Sequence, residues 1–137
     1  MITGIGVDSV DIDRFANWHT YPHAQLTRIF SAEEINYCLS AKNKSAERFA
    51  ARFATREAFF KALTAMLPTH SVPFLTLCKN ISVTKKHKNP LLHVNWDALI
   101  DTKSASAHII STHLSLTHTA TIATAWVIIE KNHAFQF

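Results

Sequence analysis

Glycine is nearly absent: Gly4 and Gly6 are the two in a chain of 137 residues, where average usage of about 7% would supply roughly nine or ten. That scarcity excludes collagen-like and low-complexity chains and any Gly/Ser linker. Long apolar runs are missing too, although 47% of residues are hydrophobic and 18% charged. None approaches the roughly 20 residues of a membrane span, so a soluble globular protein with no membrane partner is expected. The opening residues lack the basic segment and apolar stretch of an export signal. Cysteine is limited to Cys38 and Cys78, too few and too far apart for a disulfide framework or a CxxC metal site, which fits a reducing cytoplasm. The length suits one domain over residues 1–137.

Basic charge is what the chain has in excess. Fourteen Lys and Arg against ten Asp and Glu give a formal +4, with nine histidines besides. A polyanionic partner is favoured, and long-range attraction alone does not separate nucleic acid, acidic protein and phosphorylated small molecule. The basic residues are dispersed, without a Gly-rich or aromatic recognition motif, so no nucleic-acid partner is expected.

The hydrophobic pattern mixes two periods. Ile2 to Val10 reads as an opening strand, its glycines standing where the backbone turns or is closely approached. Ser31-Ala32-Glu33-Glu34 is a capping box that starts a short helix. From about Lys44 to Leu67, Ala46, Phe49, Ala50, Phe53, Phe60 and Leu63 recur at helical spacing, and Pro68 ends the run. After a loop at Pro73, Ile81 and Val83 alternate with polar residues, Lys85 to Pro90 reads as a turn, and Leu92 and Val94 resume the alternation, which predicts a hairpin. A short helix over Trp96 to Ala105 and strands over Ile109 to Leu116 and Thr121 to Glu130 complete an α+β pattern.

Few side chains stand out as chemistry. Asp8 ends a strand, while Glu57 sits in the long helix with Lys61 one turn further on. Two carboxylates on rigid elements beside a lysine suit Mg²⁺ completed by phosphate and water, although an arbitrary Glu-to-Lys pair at this spacing is more often a surface ion pair. His118, at a strand end, is either a phosphate contact or a solvated turn residue. His108, His113 and His118 are five apart and no HExxH occurs, which disfavours zinc. Lys85, Lys86 and Lys88 form a basic tip, Arg14 and Arg28 are available to an acidic partner, and Phe135 and Phe137 hint at a subunit contact.

Three segments together resemble the holo-acyl-carrier-protein synthase family of small 4′-phosphopantetheinyl transferases. They are Gly4-Ile5-Gly6-Val7-Asp8 with Arg14 behind it, Arg52 to Leu63, and Ser115-Leu116-Thr117-His118-Thr119 followed by Ala123 to Val127. Arg28 to Glu34 corresponds to the family's capped second helix. The resemblance implies the family's fold, antiparallel strands against one long and several short helices. It also implies transfer of 4′-phosphopantetheine from coenzyme A to a serine of apo acyl carrier protein, releasing adenosine 3′,5′-bisphosphate, as in fatty acid synthesis. A non-catalytic module binding the carrier or coenzyme A is the alternative.

By the same resemblance Asp8 and Glu57 hold Mg²⁺ and Lys61 stabilises or protonates the leaving bisphosphate, with either Glu57 or a metal-bound water as base. Lys44, Arg52 and His118 contact coenzyme A phosphates, and Arg14 and Arg28 meet the acidic carrier. The implied assembly is a homotrimer with active sites between subunits. The chain departs from the family pattern in having Arg56 for a usual Lys, Thr64-Ala65-Met66 for a glycine-containing loop, His87-Lys88-Asn89-Pro90 for Asn-Gly-Lys-Pro, and Ala24 for a basic residue.

Overall fold

A computed structural model of the chain describes residues 1–101 and 108–133. The N-terminal strand β1 (Ile2–Asp11) leads through two 3-10 turns, Ile12–Phe15 and Trp18–Thr20, to the one-turn helix α1 (His23–Leu26). Helix α2 (Ala32–Leu39) begins on the expected capping box: Ser31 Oγ accepts from the Glu34 amide at 3.2 Å, and Glu34 Oε1 accepts from the Ser31 amide at 3.1 Å. Then come the long helix α3 (Ser45–Met66), α4 (Phe74–Lys79), a hairpin of β2 (Ile81–Lys86) and β3 (Asn89–Val94), α5 (Trp96–Leu99), β4 (His108–His118) and β5 (Ile122–His133). Among the described residues no helix is long and apolar enough to cross a membrane.

Helix α3 stops where proline forbids it to continue. Leu67 leaves helical geometry at φ −131°, ψ 72° immediately before Pro68, because the proline ring disfavours the α region in the residue it follows. Thr64, Ala65 and Met66 remain helical up to that point as the last turn of α3.

Among the described residues all strand pairing is antiparallel, in a three-stranded sheet ordered β1-β5-β4 and in the separate hairpin β2-β3. One face of the larger sheet is buried under α3: Gly4, Gly6 and Val10 of β1 and Ala123, Ala125, Val127 and Ile129 of β5 meet Ala54, Ala58 and Ala62 of the helix. Small residues on both sides let backbone approach backbone. A Cβ at Gly6 would stand 1.9 Å from the Ala58 carbonyl oxygen, and one at Gly4 2.2 Å from that of Ala62. Both glycines therefore serve close approach, and neither has a positive φ.

The structure refines the expected elements at three places. Helix α4 falls in the stretch expected as loop; at six residues it is too short to display a period, and it is held by Phe74 against Phe53 and Phe60 at ring distances of 6.0 and 5.9 Å. The hairpin turn is tighter than expected, with strand pairing out to Lys86 and Asn89 and His87 at φ 57°. The helix expected over Trp96 to Ala105 is seen as Trp96–Leu99; its remainder from 102, and Phe135 and Phe137, lie outside the described residues.

Candidate active site

The crossing of β1 and α3 gathers the carboxylates. Alternation along β1 puts Asp8 on the same face as Gly4, Gly6 and Val10, the face that α3 covers. The glycines thus set the distance between strand and helix, and Asp8 follows them into the groove beside Glu57 and Lys61. Lys61 Nζ donates to Asp8 Oδ1 and to the Val7 carbonyl oxygen, both at 3.0 Å. The lysine accordingly pairs across to the strand, and no ion pair to Glu57 one turn away is formed.

Glu57 is left with excess proton affinity. Burial pushes its carboxyl up and the Asp8 charge pushes it further, while Lys61 and Arg14 pull it down without cancelling the rise. Arg14, exposed, stands over the Phe53 ring at 4.7 Å, so the residue expected at the carrier surface also faces Glu57. Two neighbouring carboxylates of this kind are a hard-oxygen donor pair. Among the described residues no group of three or more His, Cys, Asp or Glu could cage a metal, so any ion here would take its remaining donors from outside the chain, as Mg²⁺ does with water and phosphate.

Arg52 and His118 meet elsewhere. They line a cavity of about 210 Å³ with Arg48, Lys85, Lys88 and Glu47. His118 Nε2 lies 3.1 Å from Glu47 Oε1. Lys44, exposed just before α3, does not line this cavity, and Arg28 is exposed between α1 and α2, apart from both groups. A larger cavity of about 570 Å³, between the start of α2, the end of α4 and the hairpin, contains none of the residues that the sequence singled out for chemistry.

Arg56 points away from its neighbour Glu57, into the protein. It is fully buried and donates to both Glu34 oxygens at 2.8 and 2.7 Å and to the Ile81 carbonyl at 3.1 Å. Glu34, although buried, is held below the usual carboxylate range: burial raises it, but the Arg56 hydrogen bonds and charge and the Ser31 bonds outweigh that. This fork joins α2, α3 and β2, a geometry that a lysine's point charge does not reproduce. Arg56→Lys is expected to lower the unfolding free energy by about 1–3 kcal/mol, seen as an earlier urea midpoint at unchanged slope. An unchanged midpoint would show that the second Glu34 bond contributes nothing.

Comparison with known proteins gives a consistent result. The family model of the 4′-phosphopantetheinyl transferase superfamily matches residues 4–125. The chain is 39% identical over 131 residues to the holo-[acyl-carrier-protein] synthase of Treponema denticola, covering 95% of this chain and 99% of that one. It is 35% identical over 135 residues to the enzyme of the same name from Zymomonas mobilis, covering 95% and 97%. The crystal structure of holo-[acyl-carrier-protein] synthase from Neisseria meningitidis superposes with a TM-score of 0.71 at 26% identity, over 95% of this chain and 99% of that one. The Bacillus anthracis synthase, in complex with CoA (3′,5′-ADP), superposes at 0.68 and 26% identity, over 94% and 96%.

Proposed function

The chain belongs to the 4′-phosphopantetheinyl transferase superfamily, and from that premise we propose how its residues divide the work of a holo-acyl-carrier-protein synthase. The protein transfers the 4′-phosphopantetheine group of coenzyme A to a serine hydroxyl of apo acyl carrier protein, leaving adenosine 3′,5′-bisphosphate. The observation that supports the assignment of roles is the meeting of Asp8, Glu57 and Lys61 where β1 passes under α3.

Asp8 and Glu57 are the residues that would hold Mg²⁺. When bound, the ion supplies charge neutralisation on the pyrophosphate oxygens as the bond to the leaving bisphosphate breaks. Lys61, steadied by Val7 and Asp8, keeps a further N–H for the departing phosphate. We assign acceptance of the carrier serine's proton to Glu57, whose carboxylate stands at the same crossing. Arg52 and His118, with Lys44 outside their cavity, bind coenzyme A phosphates. Arg14 beside Glu57 docks the acidic carrier next to the reacting atoms, and Arg28 extends that basic surface. Cys38 and Cys78 are free and buried, their thiols pushed up to about 12 and about 11, chiefly by burial, which suits the cytoplasm.

We also propose a homotrimer, with the active site completed between neighbouring copies. The face of the β1-β5-β4 sheet opposite α3 leaves Ile5, Val7, Ile109 and Trp126 between 38% and 60% exposed, an apolar stripe of the kind that marks an interface. Trp126→Arg removes nothing from the chain's own core. It is expected to give a folded monomer in sedimentation, where the wild-type chain sediments as a trimer; a variant still trimeric would move the interface elsewhere.

Chromatography tests the reaction itself. Adenosine 3′,5′-bisphosphate should accumulate from coenzyme A and Mg²⁺ only when apo carrier protein is added, and its failure to appear with the carrier present would contradict the reading.

A further inference from the structure

Two ionisable side chains interrupt an apolar face. On the side of the β1-β5-β4 sheet turned away from α3, His113 of β4 and Glu130 of β5 meet at 3.0 Å, Nε2 to Oε2. The strand register makes them diagonal neighbours, since His113 is paired with Ile128 and Glu130 with Ser111. The same rows continue into β1, where Ile128 pairs with Ile5 and Glu130 with Ile2, both isoleucines more than half exposed. The ion pair is therefore set among the apolar side chains through which copies of the chain are proposed to associate.

Among the described residues, the other charges near this sheet are held apart from the pair. By alternation Lys131 follows Val127 and Ile129 onto the α3 side of β5, and the Met1 ammonium donates to the Lys131 carbonyl oxygen at 2.8 Å. His108 and His133 are paired with each other at the end of the sheet, at register positions of the α3 side. Asp11 of β1 is paired with Ile122, eight residues from Glu130 along β5, which at 3.3 Å per residue is about 26 Å. That is well beyond the roughly 8 Å over which charges act in physiological salt. The hairpin touches β4 from its opposite face, where Thr112 Oγ1 donates to the Leu92 carbonyl oxygen at 3.0 Å.

In a single copy the pair stands partly in water, with the His113 side chain 57% and the Glu130 side chain 35% exposed, and an ion pair so placed contributes little. Assembly changes its surroundings. Closing the apolar face against another copy withdraws Glu130 from water, and a buried carboxylate is costly unless a cation stays beside it. Protonated His113 is that cation, whereas neutral His113 leaves one uncompensated carboxylate per copy at the joint. Formation of the assembly therefore takes up protons. The stabilisation is present on the acid side of the histidine titration and is lost as pH rises through it.

We propose that His113 and Glu130 form a proton-dependent clasp in the subunit interface, which tightens the association of copies at mildly acidic pH and loosens it above neutrality. The inference rests on the homotrimer proposed above. Because the active site is completed between copies there, transfer by dilute protein falls together with assembly.

Sedimentation equilibrium of the full chain in equal salt at about pH 6 and about pH 8 tests the clasp, with two variants run beside wild type. Neither side chain belongs to the buried core, so both variants are expected to fold. The wild-type association constant should be at least about tenfold greater at the lower pH. Glu130→Gln, which has no carboxylate to bury, should lose that preference and associate at least as tightly as wild type at the higher pH. His113→Gln, which never supplies the cation, should associate at both pH values as weakly as wild type does at the higher one. A pair that served only as a surface hydrogen bond would leave the wild-type pH dependence intact in Glu130→Gln; that result, or a wild-type trimer equally tight at both pH values, overturns the proposal. A wild-type chain monomeric at both pH values contradicts the homotrimer itself and removes the clasp with it.

Discussion

Phosphopantetheine transfer falls by about 10²–10⁴-fold in a Glu57→Gln variant, the loss typical of a positioned acid–base group, while the metal-free protein is at least as stable at pH 7 as wild type. The two halves of this expectation have one cause. Burial and the Asp8 charge raise the Glu57 pKa in the folded state above its unfolded value, so the fold favours the protonated form. Its contribution to stability is present below the ordinary glutamate pKa and is lost as pH rises through the folded value. At neutral pH without metal the ionised carboxylate is thus a cost to folding, which glutamine removes. Added Mg²⁺ reverses the order, because it stabilises the chain that binds it and not the variant. Thermal unfolding with and without Mg²⁺, run beside the transfer assay, checks all of this. Full activity in Glu57→Gln would remove the residue from the site, and a variant markedly less stable than wild type without metal would mean that the carboxylate is structural.

Gly6→Ala should be the most damaging single-methyl change in the protein. The added Cβ meets the Ala58 carbonyl oxygen at 1.9 Å and the Ala62 amide nitrogen at 2.8 Å, atoms of helix backbone that cannot rotate aside. Over-packing with flexible neighbours costs about 1–3 kcal/mol; here strand or helix must move bodily, so a loss of more than about 3 kcal/mol is expected. Function should fail with the packing, since the displacement separates Asp8 from Lys61 and Glu57. Urea denaturation and transfer activity of the purified variant decide the matter. A midpoint within about 1 kcal/mol of wild type, with activity retained, would show that α3 is not seated on β1 as described.

Elements with a local cause were legible in the sequence. The period of Phe49, Ala50, Phe53 and Leu63 marked α3, Pro68 its end and Ser31-x-x-Glu34 the start of α2, because each depends on neighbours within a turn or two. Contacts between distant segments were not. Glu34 looked fully explained by its cap, so its ion pair with Arg56, 22 positions away, left no separate trace. Arg48, Arg52 and Arg56 recur every fourth residue, which puts the three cations on one helix face without saying which way it points. Nothing in that spacing revealed that Tyr37 of α2 would lay its ring 4.0 and 4.4 Å from the guanidinium carbons of Arg48 and Arg52. Glu57 and Lys61 likewise resembled an ordinary surface pair until β1 brought Asp8 beside the lysine; family resemblance singled them out where spacing alone did not.

The mass of apo acyl carrier protein after incubation with the wild-type chain, coenzyme A and Mg²⁺ tests the central claim most directly. The carrier should gain one phosphopantetheine on its serine, and chelation of the metal should prevent the gain. A carrier of unchanged mass, with a folded enzyme and both substrates bound, would contradict the account.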